Sequence, residues 1–238
     1  MFSFDSRVRY SECDERAQLS LVSLVNYLQD CSTFQSESLG VGIDFLREHD
    51  FAWFIAAWRI DIAQLPRFCD EIRVGTWCYE LKSTRARRNF VILDEQGEQI
   101  VKADSLWFCF DTVRGRPMRV PASEEVYRSD EPCLKMSTLE RRIACEGPCE
   151  ERAPIVVGEQ HLDTNRHVNN AQYLLMAYEA LGTPLYLTGI SVQYAQMALL
   201  GDTLIPRIYE DERGYVVSLT RDDSVVSAVV RLEGEPRS

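Results

Sequence analysis

Asn169-Asn170-Ala171-Gln172-Tyr173-Leu174-Leu175-Met176-Ala177-Tyr178-Glu179-Ala180-Leu181-Gly182-Thr183-Pro184 reads as one amphipathic helix with both of its ends marked. Ala171, Leu174, Leu175, Tyr178 and Leu181 recur at the helical period and form a single apolar stripe. Asn169 or Asn170 supplies the side-chain oxygen that an N-cap needs. Gly182 and then Pro184 stop the helix, because glycine tolerates a left-handed closing residue and proline cannot continue the hydrogen bonding. Downstream, segments 187–197, 202–209, 214–220 and 225–233 read as strands. Asp211-Glu212-Arg213-Gly214 and Arg221-Asp222-Asp223-Ser224 supply turns between them.

The first half of the chain has the same order of elements, although no repeat is visible as identity. Ser20 precedes Leu21, Leu24, Val25, Leu28 and Cys31 at helical spacing, and Gly40 is the natural terminator. Extended segments follow at 51–62, 72–81, 85–93 and 99–112, with Asp94-Glu95-Gln96-Gly97 a hairpin turn between the last two. One long helix followed by an antiparallel meander lets the sheet wrap the helix's apolar stripe, which is the hotdog arrangement of the α+β class. Two copies predict a pseudo-dimer of tandem hotdog domains, at 1–122 and 154–238. Residues 123–153, charged and containing Pro132, Gly147 and Pro148, read as a linker over the surface.

A chain of 238 residues with 45% hydrophobic content is large enough to bury two such cores. Its net charge of -11 argues against non-specific affinity for nucleic acid or an anionic membrane. Arginines nevertheless cluster at Arg85, Arg87 and Arg88, at Arg114, Arg116 and Arg119, and at Arg141 and Arg142, so an anionic partner could dock there. Such charges are also what solvated strand ends carry. The most apolar stretch, 51–62, is broken by Arg59 and Asp61 and is too short for a membrane span. The start of the chain lacks the features of a signal peptide, which predicts a cytoplasmic protein. The eight cysteines are scattered and form no Cys-x-x-Cys pair, so they are expected to be buried free thiols, with no metal or cofactor.

The run that carries chemistry is His161-Leu162-Asp163-Thr164-Asn165-Arg166-His167-Val168-Asn169-Asn170, between an extended segment at 155–160 and the helix. If strand geometry persists, Asp163, Asn165 and His167 share a face. The amides at the start of the helix, around Asn169 and Asn170, offer a partial positive charge where an oxyanion could sit. Thioester hydrolysis needs a group to activate water, a group to orient it, and donors for the carbonyl oxygen. An imidazole exchanges a proton near neutrality. Asn165 could hold the water or the carbonyl, and Asp163 could fix the imidazole tautomer. Taken singly, an Asp-x-Asn before a helix is commonly an ordinary turn and cap.

Asp163-x-Asn165-x-His167-Val168-Asn169-Asn170, followed by Tyr173 and Glu179, resembles the C-terminal hotdog signature of the acyl-acyl-carrier-protein thioesterases of plants and bacteria. The first half is similar to that family's N-terminal domain in the order and spacing of Trp58-Arg59-Ile60-Asp61-Ile62, Pro66, Asp70, Thr76-Trp77, Thr84-Arg85-x-Arg87-Arg88 and Ala103-Asp104-Ser105-x-Trp107. The resemblance implies hydrolysis of an acyl chain from acyl carrier protein in fatty acid biosynthesis. It also implies catalysis by Asp163, Asn165 and His167, an acyl tail held in the first domain, and no cofactor; it leaves a homodimer open. The chain departs from the family on the strand after the second helix. Matching Gln193-Tyr194 to the family's Glu/Gln-Tyr pair puts Met197 where a glutamate stands and Ala198 where some members have a cysteine. Gln196, another carboxylate or His167 alone would then activate water. The first-half counterpart, Glu12-Cys13-Asp14-Glu15-Arg16-Ala17-Gln18, reads as a degenerate site with Gln18 where a histidine is expected. Hydrolysis of coenzyme A esters, and a non-catalytic acyl-binding role, are the alternatives.

Overall fold

A computed structural model describes residues 1–237 and divides them into two compact units, Met1–Ser137 and the chain from Thr138 onward. The first unit contains β1 (Phe2–Arg7), α1 (Leu21–Ser38), α2 (Ile43–Glu48), β2 (Phe51–Ile62), β3 (Glu71–Lys82), β4 (Arg85–Leu93), β5 (Gln99–Asp111) and β6 (Arg116–Met118). Its antiparallel sheet runs β1-β3-β4-β5-β2, and β6 folds back on the end of β5. Ser20 caps α1 by accepting the Ser23 amide. The apolar stripe of α1, with Leu24, Leu28 and Cys31 fully buried, packs against β3 and β1. Trp58, Ile60, Phe90 and Ile92 of the sheet are also fully buried, with the Trp58 and Phe90 rings 5.0 Å apart. Each such side chain contributes roughly 1.5–3 kcal/mol on leaving water.

The second unit contains β7 (Glu150–Glu151), β8 (Ile155–Val156), α3 (Asn170–Leu181), β9 (Leu185–Tyr194), β10 (Thr203–Asp211), β11 (Gly214–Arg221) and β12 (Val226–Pro236). Its sheet runs β9-β12-β11-β10-β7, and β8 pairs with β10 near the latter's start. Asn169, rather than Asn170, caps α3 by accepting the Ala171 amide, and Gly182 closes the helix at φ +70°. Each unit thus has the helix-on-antiparallel-sheet plan expected of a hotdog domain. The turns also follow the sequence: Asp94 Oδ1 accepts the amides of Gln96 and Glu98, and Gly97 sits at φ +84°. The strand expected to reach residue 197 ends at Tyr194, because the amides of Ala195 and Gln196 both turn onto the Ser227 carbonyl.

The segment read as a linker is built into both sheets. Glu124 and Tyr127, on a 3-10 turn, are buried and bonded to the Trp53 indole (2.7 Å) and the Ser36 hydroxyl (2.6 Å). The chain then crosses strands of the first sheet. The Pro132 carbonyl accepts from the Trp77 indole (3.0 Å), the Leu134 amide donates to Asn89 Oδ1 (2.9 Å), and the Ser137 amide donates to Asp61 Oδ2 (2.7 Å). In the second unit Gln193 clasps the segment from both sides, accepting the Ile143 amide (2.9 Å) and donating to the Glu140 carbonyl (3.1 Å).

This packing bears on one open reading and corrects one expectation. The arginines at 85, 87 and 88 do not form an open basic patch: Arg88 is buried against Gln35 and the Tyr127 ring, Arg87 pairs with buried Asp104, and Arg85 pairs with Glu80. Burial raises the Asp104 carboxyl above its ordinary range, against the pull of Arg87 and of Tyr79, whose hydroxyl donates to it at 2.9 Å. The cysteines are free, but only Cys31, Cys78 and Cys109 are buried; Cys69, Cys133, Cys145 and Cys149 are exposed, because they lie in a turn and in the crossing segment.

Asn89 is fully buried and holds β5 as well as the crossing segment, since its Nδ2 donates to the Ala103 carbonyl at 3.2 Å. Asn89→Ala leaves the Leu134 amide and the Ala103 carbonyl without this partner, and should destabilise the fold by about 1–3 kcal/mol. Urea denaturation measures this. An unchanged midpoint would mean that the crossing segment contributes nothing to the first sheet.

Candidate active site

Strand geometry does not persist through residues 161–167. A 3-10 turn at Glu159–His161 is followed by a tight loop that reverses the chain and leaves Leu162 bridged to Val168. Asp163 closes this loop. Its Oδ1 accepts the amides of Asn165 (2.8 Å) and His167 (3.1 Å), and its own amide donates to the His167 carbonyl (2.8 Å). The fourth link is the Arg166 amide to the Asp163 carbonyl (3.0 Å), which requires Arg166 to adopt φ +62°. Asp163, Asn165 and His167 are therefore gathered on one loop by hydrogen bonds, where alternation along a strand was expected to align them. Asn165 is exposed at its tip, and His167 is half-buried with Nδ1 buried and unpaired. Asp163 makes no side-chain bond to the imidazole; its carboxylate holds the backbone.

The same loop occurs in the first unit with different side chains. Asp14 Oδ1 accepts the amides of Arg16 (2.9 Å) and Gln18 (3.0 Å), the Asp14 amide donates to the Gln18 carbonyl (2.8 Å), and Ala17 stands at φ +57°. The Ser20 amide donates to the Glu12 carbonyl as the Asn169 amide does to that of His161, both at 2.8 Å. Asp14 thus matches Asp163, Arg16 matches Asn165, and Gln18 matches His167. The first copy retains the carboxylate that shapes the turn and lacks both groups that could do chemistry on it.

A second turn braces each loop from behind. In the second unit, the Val168 amide donates to the Ala198 carbonyl (3.1 Å), and Asp202 Oδ2 accepts the Leu199 amide (2.9 Å). In the first unit, the Leu19 amide donates to the Pro66 carbonyl (2.9 Å), and Asp70 Oδ2 accepts the Arg67 amide (2.8 Å). Met197, partly exposed at 39%, therefore adjoins a residue bonded to the immediate neighbour of His167. The amides of Val168, Asn169, Ala171 and Gln172 are all used inside the fold. The helix start at Asn169 and Asn170 accordingly offers field more than open donors. Sequence reasoning does not single out Tyr173, whose hydroxyl accepts the Ala198 amide at 2.8 Å. Nothing in local periodicity distinguishes such a tyrosine from a core aromatic.

A protein-family model described as the acyl-ACP thioesterase N-terminal domain matches residues 1–128. A chloroplastic acyl-(acyl-carrier-protein) hydrolase of Cuphea viscosissima is 24% identical over 191 residues, which cover 74% of this chain and 46% of that protein. The chloroplastic oleoyl-acyl carrier protein thioesterase 2 of Arabidopsis thaliana is 25% identical over 199 residues, covering 76% and 54%. The chain therefore spans about half the length of the plant proteins it matches. Among solved structures, an acyl-ACP thioesterase from Bacteroides thetaiotaomicron superposes with a TM-score of 0.84 at 22% identity, covering 98% of this chain and 97% of that one. The 12:0-ACP thioesterase from Umbellularia californica gives 0.82 at 17% identity, covering 99% and 97%. These two likenesses establish a shared fold. With the family model matched across more than half of its length, the chain belongs to the acyl-ACP thioesterase family.

Proposed function

We propose that this protein hydrolyses the thioester of a fatty acyl chain carried on acyl carrier protein, releasing the free acid in fatty acid biosynthesis. The observation that carries this reading is the contrast between the two turns: the same Asp-closed backbone presents Asn165 and His167 in one unit and Arg16 and Gln18 in the other. Family membership supplies the substrate class. Among the described residues no helix is long and apolar enough to cross a membrane.

In this reading His167 takes a proton from water as the water oxygen attacks the thioester carbonyl. The exposed Asn165 carboxamide orients the water or donates to the developing oxyanion, helped by the field of the helix start at Asn169 and Asn170. The tetrahedral intermediate then collapses with loss of the thiol, which receives the proton held by the imidazole. Asp163 contributes by shaping the loop. An acidic carrier protein is suited by the exposed arginines Arg116 and Arg119 on and after β6, whereas Arg114 beside them is paired with Asp111.

His167→Ala should lower kcat by about two to four orders of magnitude without loss of folding, the usual contribution of a positioned acid or base. Matched acyl chains on carrier protein and on coenzyme A should be tested side by side. Preference for the coenzyme A ester would replace the partner in this reading, and near wild-type turnover of the variant would remove His167 from it.

One observation favours a second reading, a non-catalytic acyl-binding protein: Met197 stands where the resemblance expects a carboxylate, and its loop is bonded to the turn that carries His167. Wild-type turnover of an acyl thioester decides between the two, and Met197→Glu tests the position. If residue 197 faces the water that His167 activates, Met197→Glu should raise kcat, whereas Met197→Gln should not. The acid limb of the pH-rate profile would move toward neutrality if the new carboxylate is partly desolvated. Equal loss in both variants would mean that Met197 serves packing alone.

A further inference from the structure

The two copies of the turn are held from behind by different hydrogen bonds: the Phe68 amide donates to the Ala17 carbonyl at 2.9 Å in the first unit, whereas a phenol-to-amide bond is found in the second. In the second unit Ala198 is bonded at both of its peptide groups: its carbonyl accepts the Val168 amide at 3.1 Å, and its amide donates to the Tyr173 hydroxyl at 2.8 Å. At the matching place in the first unit the carbonyl contact is kept, from the Leu19 amide to the Pro66 carbonyl at 2.9 Å. The other contact is gone on both sides. Proline has no N–H to give, and the residue at the fourth position after the helix cap, Tyr173 in one unit, is Leu24 in the other. Of these two turns, the phenol-to-amide bond therefore exists only where a histidine stands on the turn.

The surroundings of Tyr173 make that bond stiff. Tyr173 and Ala198 are 3% and 0% exposed. The Tyr173 ring lies against that of Tyr194, with centroids 5.8 Å apart, and the Tyr194 hydroxyl donates to the Asn170 carbonyl at 3.0 Å. Burial pushes the Tyr173 phenol up to about 12, so it stays protonated while it accepts from Ala198. In the first unit the bracing turn reaches the loop through the Pro66 carbonyl and the Phe68 amide. In the second, Ala198 is held at its amide and its carbonyl, with the amide's anchor on the helix, so it cannot pivot about either contact.

On the reading proposed above, we infer that Tyr173 is a positioning residue for His167. Its hydroxyl fixes Ala198, Ala198 fixes Val168, and Val168 fixes the histidine that precedes it. The first unit, which has no histidine to place, dispenses with the device. A buried tyrosine that merely satisfies a peptide group would affect stability and leave the split between kcat and KM untouched.

Tyr173→Phe in the full chain keeps the ring and removes only the hydroxyl. It should lower kcat on the order of 10-fold to 100-fold, as a small misplacement of a reacting group does, with KM changed by less than about twofold. Ala198→Pro, which copies the first unit, should have a comparable effect, and the double variant should fall no further than either alone. The His167 ring signals in NMR should shift in Tyr173→Phe. Unchanged kcat, or additive losses with unmoved His167 signals, would overturn the inference. If the wild-type chain hydrolysed no acyl thioester, the functional reading would fail while the ring signals still decided the positioning: moved signals uphold it, unmoved signals refute it.

Discussion

One carboxylate oxygen accepting two backbone amides is the interaction on which the site depends. Asp163 Oδ1 binds the amides of Asn165 and His167, and this closes a loop that no regular strand or helix would stabilise. The loop forces Arg166 into a left-handed conformation, which costs a non-glycine residue of order 1 kcal/mol or more. The carboxylate bonds offset that cost, being charge-assisted. Because Asp14 does the same for the first unit, the turn is a structural module, and on the proposed function chemistry is a matter of which side chains are mounted on it.

This separation of scaffold from chemistry explains what was legible in the sequence. Helices α1 and α3 announced themselves through Ser20 and Asn169 as caps and through apolar spacing, and the hairpins through Asp94-x-x-Gly97 and its kin, since these are local signals. That Asp163, Asn165 and His167 lie together was legible as a candidate set. Their geometry was not, because alternating polar residues fit an extended chain as well as a loop whose hydrogen bonds run from the first residue to the third and fifth. Tyr173 was hidden for a related reason: a hydroxyl on an otherwise apolar helix face gains its meaning only from a peptide group far along the chain at Ala198.

Charge was the least readable feature. Arg87 and Arg88 look like surface residues in a list, yet the sheet turns one onto Asp104 and the other onto Gln35 and Tyr127. Similarly, the proline- and charge-rich stretch after residue 122 has the composition of a linker. It is held instead by Trp77, Asn89 and Asp61 in the first unit and by Gln193 in the second, side chains distant in sequence. Gln193 thereby acquires a structural task on the same strand whose continuation carries Met197.

The central claim is that two turns closed by the same Asp-to-amide bonds differ in function chiefly through the side chains they present. It is tested most directly by giving the second turn the first turn's residues, Asn165→Arg together with His167→Gln, and measuring single-turnover hydrolysis of acyl carrier protein thioester alongside the melting temperature. The account predicts a melting temperature within a few degrees of the wild type, because the Asp163 bonds go to backbone amides, and a fall in hydrolysis on the order of 100-fold or more. Hydrolysis persisting near the wild-type rate in that variant would contradict it.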